Sequence, residues 1–324
     1  MNVVSKRRLR QIVFSLQHYL AEVENCRDAK DAYFWLYFKK PYLFPLVRFP
    51  AMVDIELTNN CNLSCIHCLS QRKENKRPLG FMDYEVFTKI ADEMGRYPGR
   101  NLLICGVGEP VLHPRIQEML SELSEKRLRY TFYTNGTFLG RFTPKDIMNW
   151  HIETIVVSVD GIDDETHGGI RVGSHYSAIK KDVAALSAFR TREGKRNPRI
   201  EIRHVIFPNE TNNQLARFRR EWLKIADAVK FNFLISPSER PSGLEGDLRR
   251  CRDIRRKMHV RWSGKVPLCG YQYIHDDYEW LGDVQSTTLE EIWNGTRLNE
   301  VRSWHKARAF GSVPFCRVCA GTQP

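Results

Sequence analysis

An α/β fold of parallel strands joined by helical crossovers, ending in a small cysteine-bearing region, is what the sequence predicts. Three observations lead there. From residue 51 onward short β-branched and aromatic runs alternate with longer periodic segments. Those segments open on helix-start signals. Seven of the nine cysteines fall into two groups, one just after the first strand-like run and one in the last quarter of the chain.

The elements follow in order. Ala32 to Pro50 is crowded with aromatics (Tyr33, Phe34, Trp35, Tyr37, Phe38, Tyr42, Phe44) and broken by Pro41, Pro45 and Pro50. Residues 1–50 are therefore expected to form a helical preface packed on the main domain, a membrane-surface or partner contact being the alternative. Strands are predicted at Met52 to Leu57, Asn101 to Gly106, Tyr130 to Thr134, Thr154 to Val159, Ile200 to Phe207 and Val229 to Ile235. Between them Asp83 opens Tyr84 to Met94, Pro114 leads Arg115 to Lys126, and Thr143-Pro144 leads to Trp150. Ser177 to Arg190 and Asn213 to Ala226 complete the set. Such alternation implies parallel strands with right-handed crossovers. Six units are too few for a closed eight-stranded barrel, so the pattern allows an open sheet or a partial barrel over residues 51–238, with 239–324 as a C-terminal domain.

Composition sets outer bounds. With 324 residues and 42% hydrophobic content the chain can bury one large core and a small appendage. No apolar stretch is long enough to span a bilayer, and the basic first ten residues lead into no signal-peptide core, so a cytoplasmic protein is expected. Cysteines at ligand-like spacing imply bound metal in a reducing compartment, with Cys26 and Cys105 left over as buried apolar side chains. The net charge of +12 allows a nucleic-acid partner or an anionic substrate, but the charge is scattered, which weakens the first. The local runs Lys6 to Arg10 and Arg249 to Lys257 read as solvated helix faces.

The cysteine groups carry the chemistry. Cys61, Cys65 and Cys68 lie in Asn60-Cys61-Asn62-Leu63-Ser64-Cys65-Ile66-His67-Cys68. Three thiolates can hold three irons of a cubane cluster and leave the fourth open, whereas a structural zinc site recruits four protein ligands. This C-x3-C-x2-C loop after a strand resembles the cluster-binding loop of the radical S-adenosylmethionine (SAM) superfamily. The resemblance selects a partial (βα)6 TIM-like barrel. It implies a 4Fe-4S cluster whose open iron is chelated by the amino and carboxylate groups of SAM, and reductive cleavage of SAM to a 5′-deoxyadenosyl radical that abstracts a hydrogen.

Further positions match in the same order. Gly106-Val107-Gly108-Glu109-Pro110 is similar to the family's GGEP turn, with Val107 where a glycine is usual. The resemblance implies that this turn binds the SAM ammonium; Gly108 lets the backbone approach and Glu109 offers an acceptor to a cation. Thr134-Asn135-Gly136 resembles the TNG turn. Ser158, ending the fourth strand, and Arg171 stand where the branch with added C-terminal clusters holds the SAM carboxylate. His67 sits where an aromatic residue near the adenine is usual, with a packing histidine as the alternative.

Cys251, Gly264, Cys269, Cys316 and Cys319 resemble the auxiliary-cluster region called SPASM, or its shorter version, twitch. Ser263-Gly264 is expected to turn a hairpin that places Cys269 on its second strand. A leucine-bearing helix after Thr287-Thr288, capped by a threonine, is expected next. One auxiliary 4Fe-4S cluster held by the four cysteines is implied, zinc being the alternative.

The expected function is reductive SAM cleavage coupled to oxidation of a small hydroxylated substrate such as a sugar or aminocyclitol, the auxiliary cluster accepting the electron. A peptide- or protein-modifying maturase is the alternative, and tRNA modification or a non-catalytic iron-sulfur electron carrier the third. Expected partners are the small molecule and an electron donor such as flavodoxin or ferredoxin, with a peptide as the other substrate and no nucleic acid. A general base is required near the substrate hydroxyl, and Arg203, His204, Asp276 and Asp277 are the candidates by type and placement.

Overall fold

The computed structural model describes residues 46–68, 77–234, 251, 253–270, 280–314 and 316. The chain divides into two compact units, Met1–Leu46 and Val47–Pro324. The helical preface expected over residues 1–50 lies, up to residue 45, outside the described residues.

The larger unit is built on a seven-stranded parallel sheet in the order β6-β5-β4-β3-β2-β1-β7. Its strands are β1 (Met52–Ile55), β2 (Asn101–Ile104), β3 (Tyr130–Thr134), β4 (Thr154–Ser158), β5 (Arg199–Ile206), β6 (Ala228–Phe233) and β7 (Lys257–Val260). The first six are those predicted, and together with their crossovers they form the partial barrel. The seventh joins the far side of β1 with Met52 opposite Lys257 and Ile55 opposite Val260. It lies within the stretch read as C-terminal domain, and Lys257 and His259 break its apolar run, which hid it from the sequence pattern.

Helices α1 (Tyr84–Gly95), α2 (Ile116–Glu125), α3 (Pro144–Asn149), α4 (Asp164–Ile170), α5 (Tyr176–Arg192) and α6 (Asn212–Trp222) connect these strands. Asp83, Thr143, Asp163 and Thr211 each cap a helix start by accepting a backbone N–H, with reciprocal capping boxes at the last three. The short α4, with Arg171 as its C-cap residue, was not among the predicted helices.

Alternation along the strands separates two environments. Val53, Ile55 and Leu57 are fully buried, as are Ile200 and Ile202 and the helix residue Trp222. Burial of each such side chain stabilises the fold by about 1.5–3 kcal/mol. The alternate residues Asp54, Glu56 and Glu201 are also buried, each paired with its own cationic side chains inside the barrel.

The C-terminal part contains α7 (Asp253–Arg256), an antiparallel pair β8 (Lys265–Pro267) and β9 (Trp280–Asp283), α8 (Leu289–Asn294) and α9 (Thr296–Lys306). Gly264 turns the chain at φ +82°, donating its N–H to Arg261 O at 2.9 Å. The turn is where the sequence predicts it, but Cys269 lies two residues beyond β8, whose partner is β9. Thr288 caps α8 in a box with Glu291. No helix among the described residues is long and apolar enough to cross a membrane.

Candidate active site

The cysteine loop leaves β1 and is pinned from three sides. Thr58 Oγ1 donates to Gly80 O at 2.6 Å and accepts from Asn60 Nδ2 at 2.9 Å, which fixes the approach to Cys61. Glu109 N donates to Asn60 O at 2.8 Å. A Cβ on Gly108 would lie 2.3 Å from Thr58 O and 2.5 Å from Asn60 O, so only glycine lets the second loop close on the first. Gly106 also passes close to Glu56, its notional Cβ 2.8 Å from Glu56 Cγ. On the far side Ser64 N donates to Val172 O and Ile66 N to Ile170 O, both at 3.0 Å. This ladder aligns the loop with the segment that carries Arg171.

Cys61, Cys65 and Cys68 are half-buried in one electrostatic neighbourhood. Burial pushes the Cys65 thiol up to about 11, with Arg171 opposing, and raises Cys61 as well. Such thiols need a cationic metal centre to ionise. Asn135 Nδ2 lies 3.9 Å from Cys61 Sγ, and Arg171 Nη1 lies 4.0 Å from Cys65 Sγ, so donors face the sulfurs. Three thiols on one short loop, with N–H donors beside two of them, are a donor set suited to three irons of an iron-sulfur cluster.

Glu109 is buried at 1% exposure. Its carboxylate accepts Asn135 N at 2.7 Å, Thr134 Oγ1 at 2.8 Å and Val111 N at 3.4 Å, tying the turn after β2 to the turn after β3. Burial nevertheless raises its pKa to about 7, the hydrogen bonds opposing. Pro110 opens a short 3-10 turn, Pro110–Leu112, behind it.

Asp160 is the hub that sequence reasoning passed over. It is fully buried, accepts Val205 N at 2.7 Å on one oxygen and Arg171 Nε at 2.7 Å on the other, and lies 3.9 Å from His67 Nε2. The signal was its place in Ser158-Val159-Asp160-Gly161 after a strand. Ser158 is half-buried and makes no side-chain hydrogen bond to a described residue. His67 has its Nδ1 buried without a partner among the described residues, its ring edge-on to Phe207 at 5.7 Å, and a pKa lowered by burial.

Two of the four candidate bases lie among the described residues. His204 turns away from the barrel interior, its Nε2 on the Glu210 carboxylate at 2.9 Å and its ring 4.6 Å from Phe218. Arg203 faces inward and stays cationic: burial opposes its charge, while Tyr133 and Glu201 raise its pKa. Asp276 and Asp277 lie outside the described residues, as does Cys319.

At the second cysteine group, Cys251 and Cys269 are half-buried and Cys316 is buried, with His305 Nε2 3.4 Å from Cys316 Sγ. Asp253, two residues after Cys251, accepts Gly270 N beside Cys269 at 3.0 Å, which brings the two segments together. A cavity of about 700 Å³, lined by Lys145, His151, Phe189 and Arg196, opens beside Ile152 and Pro198, just before β4 and β5 begin. The cysteine loop follows the other end of its strand, so this cavity is not the site.

Residues 55–221 match the radical SAM superfamily, and residues 251–320 match the iron-sulfur cluster-binding SPASM domain. The chain belongs to the radical SAM superfamily. It is 32% identical over 314 residues to a mycofactocin maturase of Mycobacterium tuberculosis, covering 84% of this chain and 78% of that protein. It is 26% identical over 315 residues to a tungsten-containing aldehyde ferredoxin oxidoreductase cofactor-modifying protein of Pyrococcus furiosus, covering 82% and 86%. Its fold is similar to that of Streptococcus suis SuiB bound to S-adenosylmethionine, with a TM-score of 0.66, 14% identity, and 98% of this chain and 85% of that one covered. As a radical SAM protein with a SPASM domain, it uses a 4Fe-4S cluster, S-adenosylmethionine and auxiliary iron-sulfur ligation.

Proposed function

We propose that this radical SAM enzyme oxidises a peptide or peptide-derived substrate, holding its SAM-binding cluster on Cys61, Cys65 and Cys68 and one auxiliary cluster on Cys251, Cys269, Cys316 and Cys319. The observation that carries the reading is the backbone ladder between the cysteine loop and residues 170–172, which sets Arg171 beside Cys65. When bound, the first cluster would supply the electron for reductive SAM cleavage and the auxiliary cluster would serve as the electron acceptor, so that one SAM would be used per two-electron oxidation.

The protein's own part is positional. Arg171, braced through Nε by Asp160, presents its remaining guanidinium edge to the SAM carboxylate, and Ser158 offers an unengaged hydroxyl nearby. Glu109 holds the turns after β2 and β3 together and faces the SAM ammonium with its remaining lone pair, while Gly106, Gly108 and Pro110 shape the backbone around it. Asn135 steadies Cys61, and His67 lines the adenine side. A flavodoxin- or ferredoxin-type donor supplies electrons.

The mycofactocin maturase relative favours a peptide substrate over the sugar or aminocyclitol suggested by sequence. A small hydroxylated substrate is the second reading, favoured by the charged side chains Arg203, Glu201 and Lys230 on the barrel wall.

Anaerobic reconstitution followed by SAM and dithionite tests the reading. Formation of 5′-deoxyadenosine in the wild type, lost in Cys65→Ala, is expected; none from a fully iron-loaded protein overturns it. Cys316→Ala should still cleave SAM but give no net oxidation.

A further inference from the structure

The barrel interior carries three buried carboxylates, and each has two cationic neighbours. Asp54 contacts Lys257 at 2.6 Å and His259 at 3.1 Å. Glu56 contacts Arg77 at 2.7 Å and Arg261 at 3.5 Å. Glu201 is paired with Arg203 and lies 2.8 Å from Lys230. In the first group Asp253, 3.4 Å from His259, restores the balance. The Glu201 group holds two cations against one carboxylate among the described residues. A wall charged in this way favours an anion beside it.

The Glu201 group is the one open to a ligand. Arg203 and Lys230 keep about a quarter of their side-chain surface exposed, 26% and 28%, while Glu201 keeps 6%. Arg203 Nη1 donates to Tyr133 OH at 3.4 Å, and its guanidinium carbon stands 5.2 Å from the Tyr133 ring centre. Its Nε is buried without a partner among the described residues. Lys230 makes no other ion pair to them. Strand register puts Arg203 beside Ser158 and Lys230 beside Arg203. The pair therefore lies on the inner wall next to the SAM-carboxylate position, where a substrate must present its reacting carbon. Glu201 pre-aligns both cations and neutralises only one of them.

We propose that Arg203 and Lys230 bind an anionic oxygen group of the substrate, a carboxylate or a phosphate, inside the barrel. The assignment deepens the radical SAM reading by naming what the substrate must carry, and it rests on that reading for the identity of the cavity. Anion binding is read without turnover, so failure of SAM cleavage and failure of this assignment are separate results.

The test uses the full-length reconstituted protein, titrated with inorganic phosphate and separately with acetate, with and without SAM, following the melting temperature. A concentration-dependent rise is expected, the stronger of the two probes identifying the group. Arg203→Gln and Lys230→Gln should each weaken the apparent affinity about tenfold, the loss of one charge-assisted contact. Glu201→Gln should tighten it, since it removes the internal competitor for both cations. Arg196→Gln, in the cavity beside β4 and β5, should change nothing. Should Arg203→Gln not fold, Lys230→Gln carries the same reading. An anion response that is absent, that survives Arg203→Gln and Lys230→Gln, or that weakens in Glu201→Gln overturns the proposal; a plain structural ion pair would give that last result.

Discussion

Arg171 Nε donates to the Asp160 carboxylate at 2.7 Å, and the same guanidinium ends 4.0 Å from the Cys65 sulfur. A flexible arginine is thereby fixed at one edge and free to pair at the other. Asp160 stands at 0% exposure and is anchored in turn by Val205 N, so the joint is rigid. In Asp160→Asn an amide N–H can face Arg171 Nε, donor against donor. SAM affinity should fall about tenfold while iron content at the three cysteines stays unchanged. Equilibrium SAM binding together with iron counts checks this, and unchanged affinity would contradict the bracing role.

Glu109 makes a pH prediction whose sign is fixed by burial. Its folded pKa of about 7 exceeds the ordinary 4.5, because desolvation outweighs the bonds from Asn135, Thr134 and Val111. Between those two values the folded state binds more protons than the unfolded chain, so Glu109's contribution to stability is lost as pH rises through that window. A cation placed beside the carboxylate lowers its pKa and releases the proton. Calorimetry near pH 6.5 in two buffers of different ionisation heat should therefore detect more proton release on SAM binding in the wild type than in Glu109→Gln, where only the SAM amino group sheds its proton on binding iron. Equal release in both would place that amino group elsewhere.

The strands were legible because their outward residues, such as Val53, Ile55, Ile200 and Ile202, form short β-branched runs between turn signals. The candidate cluster loop stood out because the spacing of Cys61, Cys65 and Cys68 puts three thiols on one short loop after a strand. Asp160 was not, because a buried carboxylate shows its worth only when Arg171, Val205 and His67 converge on it from separate loops. The strand β7 was hidden for a related reason: Lys257 and His259 look like surface residues until Asp54 is found opposite them. The orientation of His204 was equally hidden: strand alternation turns it toward Phe218 and Glu210, which its residue type does not reveal.

Gly108→Ala tests how tightly the two loops must close. The added methyl group would overlap Thr58 O and Asn60 O at 2.3 and 2.5 Å, both backbone atoms with no rotamer to yield. The cysteine loop should shift outward, and reconstituted protein should lose iron at the three-cysteine site while the SPASM site keeps its own. Separate counts in a Cys316→Ala background and in its parent resolve the two. Full iron occupancy in Gly108→Ala would mean that the loop tolerates the displacement.

Glu93 joins the barrel to the SPASM region by capping a helix that it does not belong to. From α1 its two carboxylate oxygens accept Leu289 N and Glu290 N at 2.8 Å each, at the start of α8, while Lys89, one turn earlier, donates to Val284 O at 2.6 Å. A carboxylate at a helix N-terminus satisfies N–H groups that have no partner within the helix and meets the positive end of its dipole. Because Glu93 is buried at 6% exposure, Glu93→Ala strands two backbone donors and should destabilise the protein by about 1–3 kcal/mol. Glu93→Gln keeps one acceptor and should recover part of that loss. Urea unfolding of the three proteins gives the order wild type, Glu93→Gln, Glu93→Ala. Hydrogen exchange should speed up first at Leu289 and Glu290, since α8 is the element released, and uniform exchange across the barrel would show that the cap does not hold the two parts together.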